Sequence, residues 1–212
     1  MSNRKILGLI PARGGSKGIP KKNLYPFNGK PLIQWTIEAA KKSKQINKII
    51  VSTDDEEIAD FAKKNQVEVP YLRNFKLARD DSLVIETVLD TLNSFREFND
   101  ILLLQPTSPL RNENDIKNII ALHQKNKNHS VVSMREVKEN PTLFYEINKN
   151  NYLEKSFRNL EVNNRQSFNE FYILNGALYL ASYDHLKKYK SFLSHLTMPY
   201  IMPYERSIDI DS

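Results

Sequence analysis

Short apolar runs alternate with amphipathic stretches through the first 135 residues, and that order restricts the fold more than any other feature of the chain. Lys5–Ile10 is apolar after its first residue and lacks polar alternation, which predicts a strand buried on both faces. Pro31–Ser43 places Leu32, Ile33, Trp35, Ile37, Ala39 and Ala40 at helical spacing, with Pro31 suited to the first turn and lysines to the last. Ile46–Val51 reads as a second strand, and Ser52–Glu57 forms an N-cap region leading into a helix over Glu56–Asn65. A third strand is predicted at Val67–Tyr71, a helix at Ser82–Phe98, a fourth strand at Ile101–Leu104, a helix at Asn114–Lys127 and a strand at Ser130–Met134. The pattern predicts an α/β fold: a mostly parallel sheet sandwiched by helices, in one domain spanning residues 1–212.

The character changes over residues 136–171, which are polar, rich in Asn and Lys, and weakly periodic. Alternation around Leu143–Ile147 points to hairpin strands, so this stretch reads as a small β-rich arm inserted in the domain. Strand character returns at Phe171–Ala181, followed by a helix at Tyr183–Lys190 and a last strand at Thr197–Pro203. In an open parallel sheet, ligands sit beyond the carboxyl ends of the strands, near the switch in strand order. The turn after the first strand is therefore where chemistry is expected first.

That turn, Pro11–Asn23, holds Gly14, Gly15 and Gly18 together with Arg13, Lys17, Lys21 and Lys22. Glycines let backbone N–H groups converge on phosphate oxygens, and the basic side chains neutralise a chain of phosphates. No acidic residue precedes Glu38, whereas seven basic residues do. The net charge of +6 is thus concentrated around a glycine-rich turn, which suits a small polyanion better than a duplex and weighs against a nucleic-acid-binding module. The turn matches neither the dinucleotide fingerprint nor the Walker loop, since Lys17 is followed by Gly18. The absence of Cys excludes disulfides, thiol catalysis and Cys-ligated metals, and it fits a cytoplasmic protein. No apolar run approaches the roughly 20 residues that span a bilayer, and Arg13 and Gly14 come too early for a signal-peptide core.

Ile10–Gly18 with Lys22-Asn23 resembles the N-terminal signature of the acylneuraminate cytidylyltransferases, the CMP-sialic acid synthetases. Further likenesses follow in order at Ile50–Asp54, Leu103–Arg111, Asn175–Tyr179 and Ser207–Asp211, so the resemblance spans nearly the whole chain. It implies a Rossmann-like, GT-A-like nucleotidyltransferase that transfers CMP from CTP to a nine-carbon 2-keto sugar acid and releases pyrophosphate. The sister group acting on 3-deoxy-octulosonate is resembled more weakly, because its loop usually reads Ser-Thr-Arg where this one has Ser16-Lys17-Gly18.

The resemblance also implies roles. Arg13, Gly14, Gly15, Ser16, Lys17 and Lys22 would hold the triphosphate, with Asn23, Arg73 and Ser82 on the nucleotide. Gln105, Thr107, Ser108, Asn175, Gly176 and Tyr179 would form the sugar site, and Arg165 would pair with the sugar carboxylate. Asp209 and Asp211, which share one face at strand spacing, would hold Mg²⁺, or Mn²⁺ in its place. Arg13, Lys22, Arg165 and Asp211 are the residues implied to act on the reacting groups. None of the four His residues falls in a motif, so the proton acceptor has no candidate among them.

The resemblance further implies a homodimer that exchanges its arms, and the aromatic Phe144, Tyr145, Phe168 and Phe171 suit such an interface. Two departures stand out. Pro141 is followed by Thr142-Leu143 where many members have a Lys, which points away from ordinary N-acetylneuraminate toward legionaminic- or pseudaminic-type acids. Relatives usually continue into a C-terminal helix after the metal motif, whereas this sequence stops at Ser212.

Overall fold

The computed structural model describes residues 4–15, 18–74, 83–157 and 170–210. At its centre is β1 (Ile6–Pro11), apolar along its length and buried but for its last residue. It pairs in parallel with β4 (Lys48–Ser52) on one side, Leu9 opposite Ile50, and with β5 (Asp100–Leu104) on the other, Leu9 opposite Leu103. Six strands form the sheet in the order β10-β6-β9-β5-β1-β4, with β6 at Val131–Glu136, β9 at Tyr172–Ser182 and β10 at Met198–Ile201. The expected mostly parallel sheet is present with one reversal: β9 runs antiparallel to both β5 and β6.

Residues alternate along each central strand between two cores. Ile6 and Ile10 of β1, Leu102 and Leu104 of β5, and Leu178 and Leu180 of β9 face one side. They meet apolar residues of α1 (Leu32–Ser43), α2 (Glu56–Lys64) and α4 (Glu113–Lys125). Leu7 and Leu9 of β1, with Ile101 and Leu103 of β5, face the other side and meet α3 (Val84–Ser94) and α5 (Tyr183–Tyr189). Burial on both faces explains why these strands read as unbroken apolar runs. The helix starts follow local chemistry: Asp55 caps α2 through the Ile58 N–H, and Asn112 with Asp115 forms a capping box on α4.

Three details depart from the sequence-based expectation. Val67–Tyr71 is not a strand: Glu68 and Leu72 make only isolated bridges to Ile50 and Thr53, because Pro70 offers no N–H to a ladder. The helix expected from Ser82 to Phe98 spans only Val84–Ser94, and Phe95 and Phe98 plug the second core from beyond its end. A small hairpin, β2 (Pro26–Phe27) and β3 (Lys30–Pro31), precedes α1. Its turn residues Asn28 and Gly29 both have positive φ, a signal visible as the Asn-Gly dipeptide.

The arm contains the hairpin β7 (Tyr145–Ile147) and β8 (Leu153–Lys155), with Leu143, Ile147, Tyr152 and Leu153 each at least 70% exposed. Residues 158–169, with Arg165 and Phe168, lie outside the described residues. Among the described residues, no helix is long and apolar enough to cross a membrane.

Candidate functional site

The carboxyl ends of β1, β4 and β5 lie along one edge of the sheet. Because β9 is reversed, its amino-terminal half reaches the same edge, with Leu178 opposite Leu104. Residues that follow three strands and residues in the first half of a fourth are thereby gathered at the place where α/β sheets bind ligands.

The glycine turn is tied to the loop after β4. The Ala12 N–H donates to the Ser52 carbonyl at 2.9 Å, and the Gly14 N–H donates to Asp54 Oδ1 at 3.0 Å. A β-carbon on Gly14 would lie 2.6 Å from Asp55 Oδ2 and 2.8 Å from its Cβ, so only glycine fits there. Gly15 has no heavy atom within 4 Å of such a position and leaves its backbone open. Asn23 is buried and donates to the Arg13 carbonyl at 2.9 Å, so its amide shapes the turn from behind. Lys22 begins the 3-10 turn Lys22–Leu24, entered through Lys21 in a left-handed conformation. Ser16 and Lys17 lie outside the described residues, as does Ser82.

Arg73 stands beside this turn. Its backbone N–H donates to Thr53 at 2.7 Å, and its Nη1 donates to Thr87 Oγ1 at 3.1 Å. Its Nη2 is 3.9 Å from Asp54 Oδ1, yet Nε and Nη2 are buried without a hydrogen-bond acceptor among the described residues. Burial pulls its pKa down, Asp54 pulls it up, and Arg13 pulls it down again, which places the two arginines in one field. Two orphaned, charged N–H groups are costly to bury, and an anion in the turn is the partner that would satisfy them.

A second group converges where β5 ends beside the amino-terminal half of β9. Gly176 has φ +76°, and a β-carbon there would approach Gln105 Oε1 at 3.3 Å and Asp209 Oδ2 at 3.7 Å. A cavity of about 560 Å³ opens here, lined among others by Gln105, Gly176, Tyr179 and Asp209. Burial pushes the Tyr179 hydroxyl above its ordinary pKa, and the Asp209 charge adds to it. Thr107 contributes its carbonyl, which accepts from the Ile210 N–H at 2.8 Å and pins the C-terminal segment to the turn after β5. Ser108 is fully buried, and its hydroxyl has no hydrogen-bond partner among the described residues. Asn175 is also buried: Ser133 donates to its Oδ1 at 2.6 Å, and its Nδ2 donates to Ser207 Oγ at 2.9 Å. Its amide therefore braces the site, and the backbone at Gly176 is what faces the cavity.

Sequence reasoning assigned no role to the residues that hold this edge together. Arg111 is buried, and its Nη1 donates to the carbonyls of Gln105 and Ala177, both at 3.2 Å, clamping β5 to β9. Burial lowers its pKa to about 10 against the pull of Asp115. Asp115, fully buried at the start of α4, accepts from both Nε and Nη2 of Arg206 and from the Tyr200 hydroxyl, each at 3.0 Å. Arg111 and Asp115 sit in readable motifs, but their partners lie 66 and 91 residues away in the chain.

Among the described residues, no three His, Cys, Asp or Glu form a metal-holding group. Asp209 is exposed and forms no ion pair with a described cation. One free carboxylate in a polar cavity fits Mg²⁺, which typically takes one or two protein carboxylates and fills its sphere with phosphate and water. Asp211 and Arg165 lie outside the described residues.

A family model described as cytidylyltransferase matches residues 7–201. The chain is 41% identical over 215 residues to CMP-N,N'-diacetyllegionaminic acid synthase of Legionella pneumophila, covering 98% of this chain and 91% of that protein. It is 35% identical to N-acylneuraminate cytidylyltransferase of Escherichia coli, covering 98% of this chain but 49% of that protein, about half its length. Its fold matches a CMP:2-keto-3-deoxy-manno-octonic acid synthetase complexed with CTP, with TM-score 0.70 at 17% identity, over 93% of this chain and 90% of that one.

Proposed function

The chain belongs to the cytidylyltransferase family, and from that premise we propose that it transfers CMP from CTP to a nine-carbon 2-keto sugar acid and releases pyrophosphate. The observation that carries the reading is the convergence of Gln105, Gly176 and Asp209 on one cavity at the carboxyl edge of the sheet, on the same edge as the glycine turn. A polyanion-binding turn and a polar, sugar-sized cavity on one edge suit a reaction between a nucleoside triphosphate and a hydroxylated acid.

Arg13 and Lys22, with Ser16 and Lys17, hold the triphosphate, and the open backbone at Gly15 lets its oxygens approach. Arg73 gives its orphaned N–H groups to the nucleotide. Gln105 hydrogen-bonds the sugar while Gly176 leaves room for it, since any side chain there would meet Gln105 and Asp209. The anomeric 2-hydroxyl of the sugar attacks the α-phosphorus in line; a P–O bond forms, the bond to pyrophosphate breaks, and the hydroxyl proton is released to solvent. Such transfers rest on positioning and charge stabilisation. Asp209 and Asp211 would hold Mg²⁺, which when bound supplies charge neutralisation on the phosphates.

For the sugar, Thr142-Leu143 after Pro141 points away from N-acetylneuraminate toward a legionaminic- or pseudaminic-type acid, and of these the 41% identity to a diacetyllegionaminic acid synthase supports the legionaminic type. The apolar face of the arm supports a dimer built through it. The test is pyrophosphate release from each of the four NTPs against a panel of 2-keto sugar acids. Turnover is expected with CTP and nine-carbon acids, with the legionaminic-type acid fastest; turnover with no nine-carbon acid overturns the reading.

A further inference from the structure

Arg135, near the end of β6, lines the cavity that Gln105, Gly176 and Asp209 form. Of the described residues lining it, Arg135 is the one cation and Asp209 the one anion. The guanidinium stacks on Tyr204, with Cζ 5.2 Å from the ring centroid, and Lys138 Nζ stands 4.8 Å from the same ring. Tyr204 itself lines the cavity.

Two features separate this arginine from a solvated surface charge. First, among the described residues no carboxylate lies within ion-pair distance of Arg135 or Lys138, so two like charges are gathered around one ring without a counter-ion. Second, Arg135 uses Nη1 on the Glu136 carbonyl at 3.2 Å and has no other hydrogen bond to a described residue. A guanidinium carries five donors in a rigid plane, and stacking on Tyr204 fixes that plane. The result is a pre-oriented fork with donors to spare, the geometry that carboxylates accept in pairs.

We propose that Arg135 is a specificity-determining residue that receives the carboxylate of the sugar acid, alongside the Arg165 that the resemblance implies, with Tyr204 positioning its guanidinium. The proposal rests on the reading of the cavity as the sugar site. With Asp209 taken up by the metal, Arg135 is the charged side chain of the lining left to face an acid. Lys138 adds positive field, with rotatable donors but no rigid fork.

The experiment compares each sugar acid with its carboxylate methyl ester as competitive ligands, in wild-type protein, Arg135→Gln and Arg135→Lys, with CTP binding measured in parallel by calorimetry. Wild type is expected to prefer the acid over the ester. Arg135→Gln is expected to raise KM for the acid by about tenfold or more, to leave the ester unchanged, and to leave CTP affinity within about twofold. Arg135→Lys keeps the charge and loses the fork, so most of the preference is expected to go with it; this variant decides the matter if the Gln variant folds poorly. Retention of the full acid preference in both variants overturns the proposal, since the carboxylate is then read elsewhere. If wild-type protein turns over no 2-keto sugar acid at all, the reading of the site has failed instead.

Discussion

Arg206 donates two hydrogen bonds, each 3.0 Å, to the two oxygens of the buried Asp115 carboxylate. The pair fastens the C-terminal turn that precedes Ser207 and Asp209 to the amino end of α4. Breaking a buried ion pair from one side leaves an uncompensated charge. Arg206→Ala is expected to cost about 2–4 kcal/mol by urea unfolding, less than for a fully buried pair because the Arg206 side chain is 31% exposed. Arg206→Lys is expected to recover only part of this, since an ammonium cannot bridge both oxygens in a plane.

Gly14→Ala forces a β-carbon to within 2.6 Å of Asp55 Oδ2. The turn must then move off the loop after β4, and the bond from the Gly14 N–H to Asp54 is lost. CTP affinity measured by calorimetry is expected to fall about 10–100-fold while the unfolding midpoint shifts little, because a displaced turn costs positioning more than packing. Gly15→Ala, with open space around it, is expected to fold without strain, so a loss of CTP affinity there reports on the approach of the phosphates and not on a displaced turn.

Removal of divalent metal by a chelator is expected to stop pyrophosphate release, and added Mg²⁺ to restore it. Asp209→Asn keeps the shape of the side chain and removes its charge. Its kcat is expected to drop about 100-fold or more, with metal-free CTP binding unchanged. Full activity in this variant would remove Asp209 from the metal site.

At the opposite end of β5, Asp100 accepts from Arg4 Nε at 2.8 Å and lies 3.2 Å from His123 Nε2. Burial pushes the Asp100 carboxyl up, but Arg4 and His123 outweigh it and hold it below the usual carboxylate range. A carboxyl lowered in the folded state contributes stability above its unfolded pKa of about 3.9, and loses it as pH falls through the folded value. Stability by urea titration is therefore expected to decline steeply below about pH 4. Asp100→Asn is expected to be less stable at neutral pH and to show a shallower decline on the acid side.

The hairpin residues Ile147 and Leu153, paired across β7 and β8, are 72% and 70% exposed. If the arm is the dimer contact, Ile147→Asp with Leu153→Asp is expected to yield a monomer by sedimentation equilibrium, while the wild-type chain sediments as a dimer. No change in mass between the two would exclude this face.

What could be read in advance was local. β1 announces itself as an unbroken apolar run, α1 through apolar spacing, and α4 through a cap whose two members, Asn112 and Asp115, are three residues apart. The glycine turn was legible for the same reason, since its glycines and cations are adjacent. Pairing was not legible: nothing within Tyr172–Ser182 says that it inserts between β5 and β6 against their direction, because strand order depends on contacts about 40 to 80 residues away in the chain. Resemblance named Gln105, Gly176 and Asp209 together, but no spacing in the chain could have placed them within a few ångström of each other. Arg135 carried no signal at all, for its meaning depends on Tyr204, which comes 69 residues later.

The reversal of β9 has a wider consequence. Were that strand parallel to its neighbours, the polypeptide leaving the arm would emerge at the far edge of the sheet. Run backwards, it delivers Ile173, Leu174 and Gly176 straight from the arm into the cavity wall. The arm and the chamber thus share one continuous stretch of backbone, so a shift of the chain at Tyr172 is carried into the chamber wall.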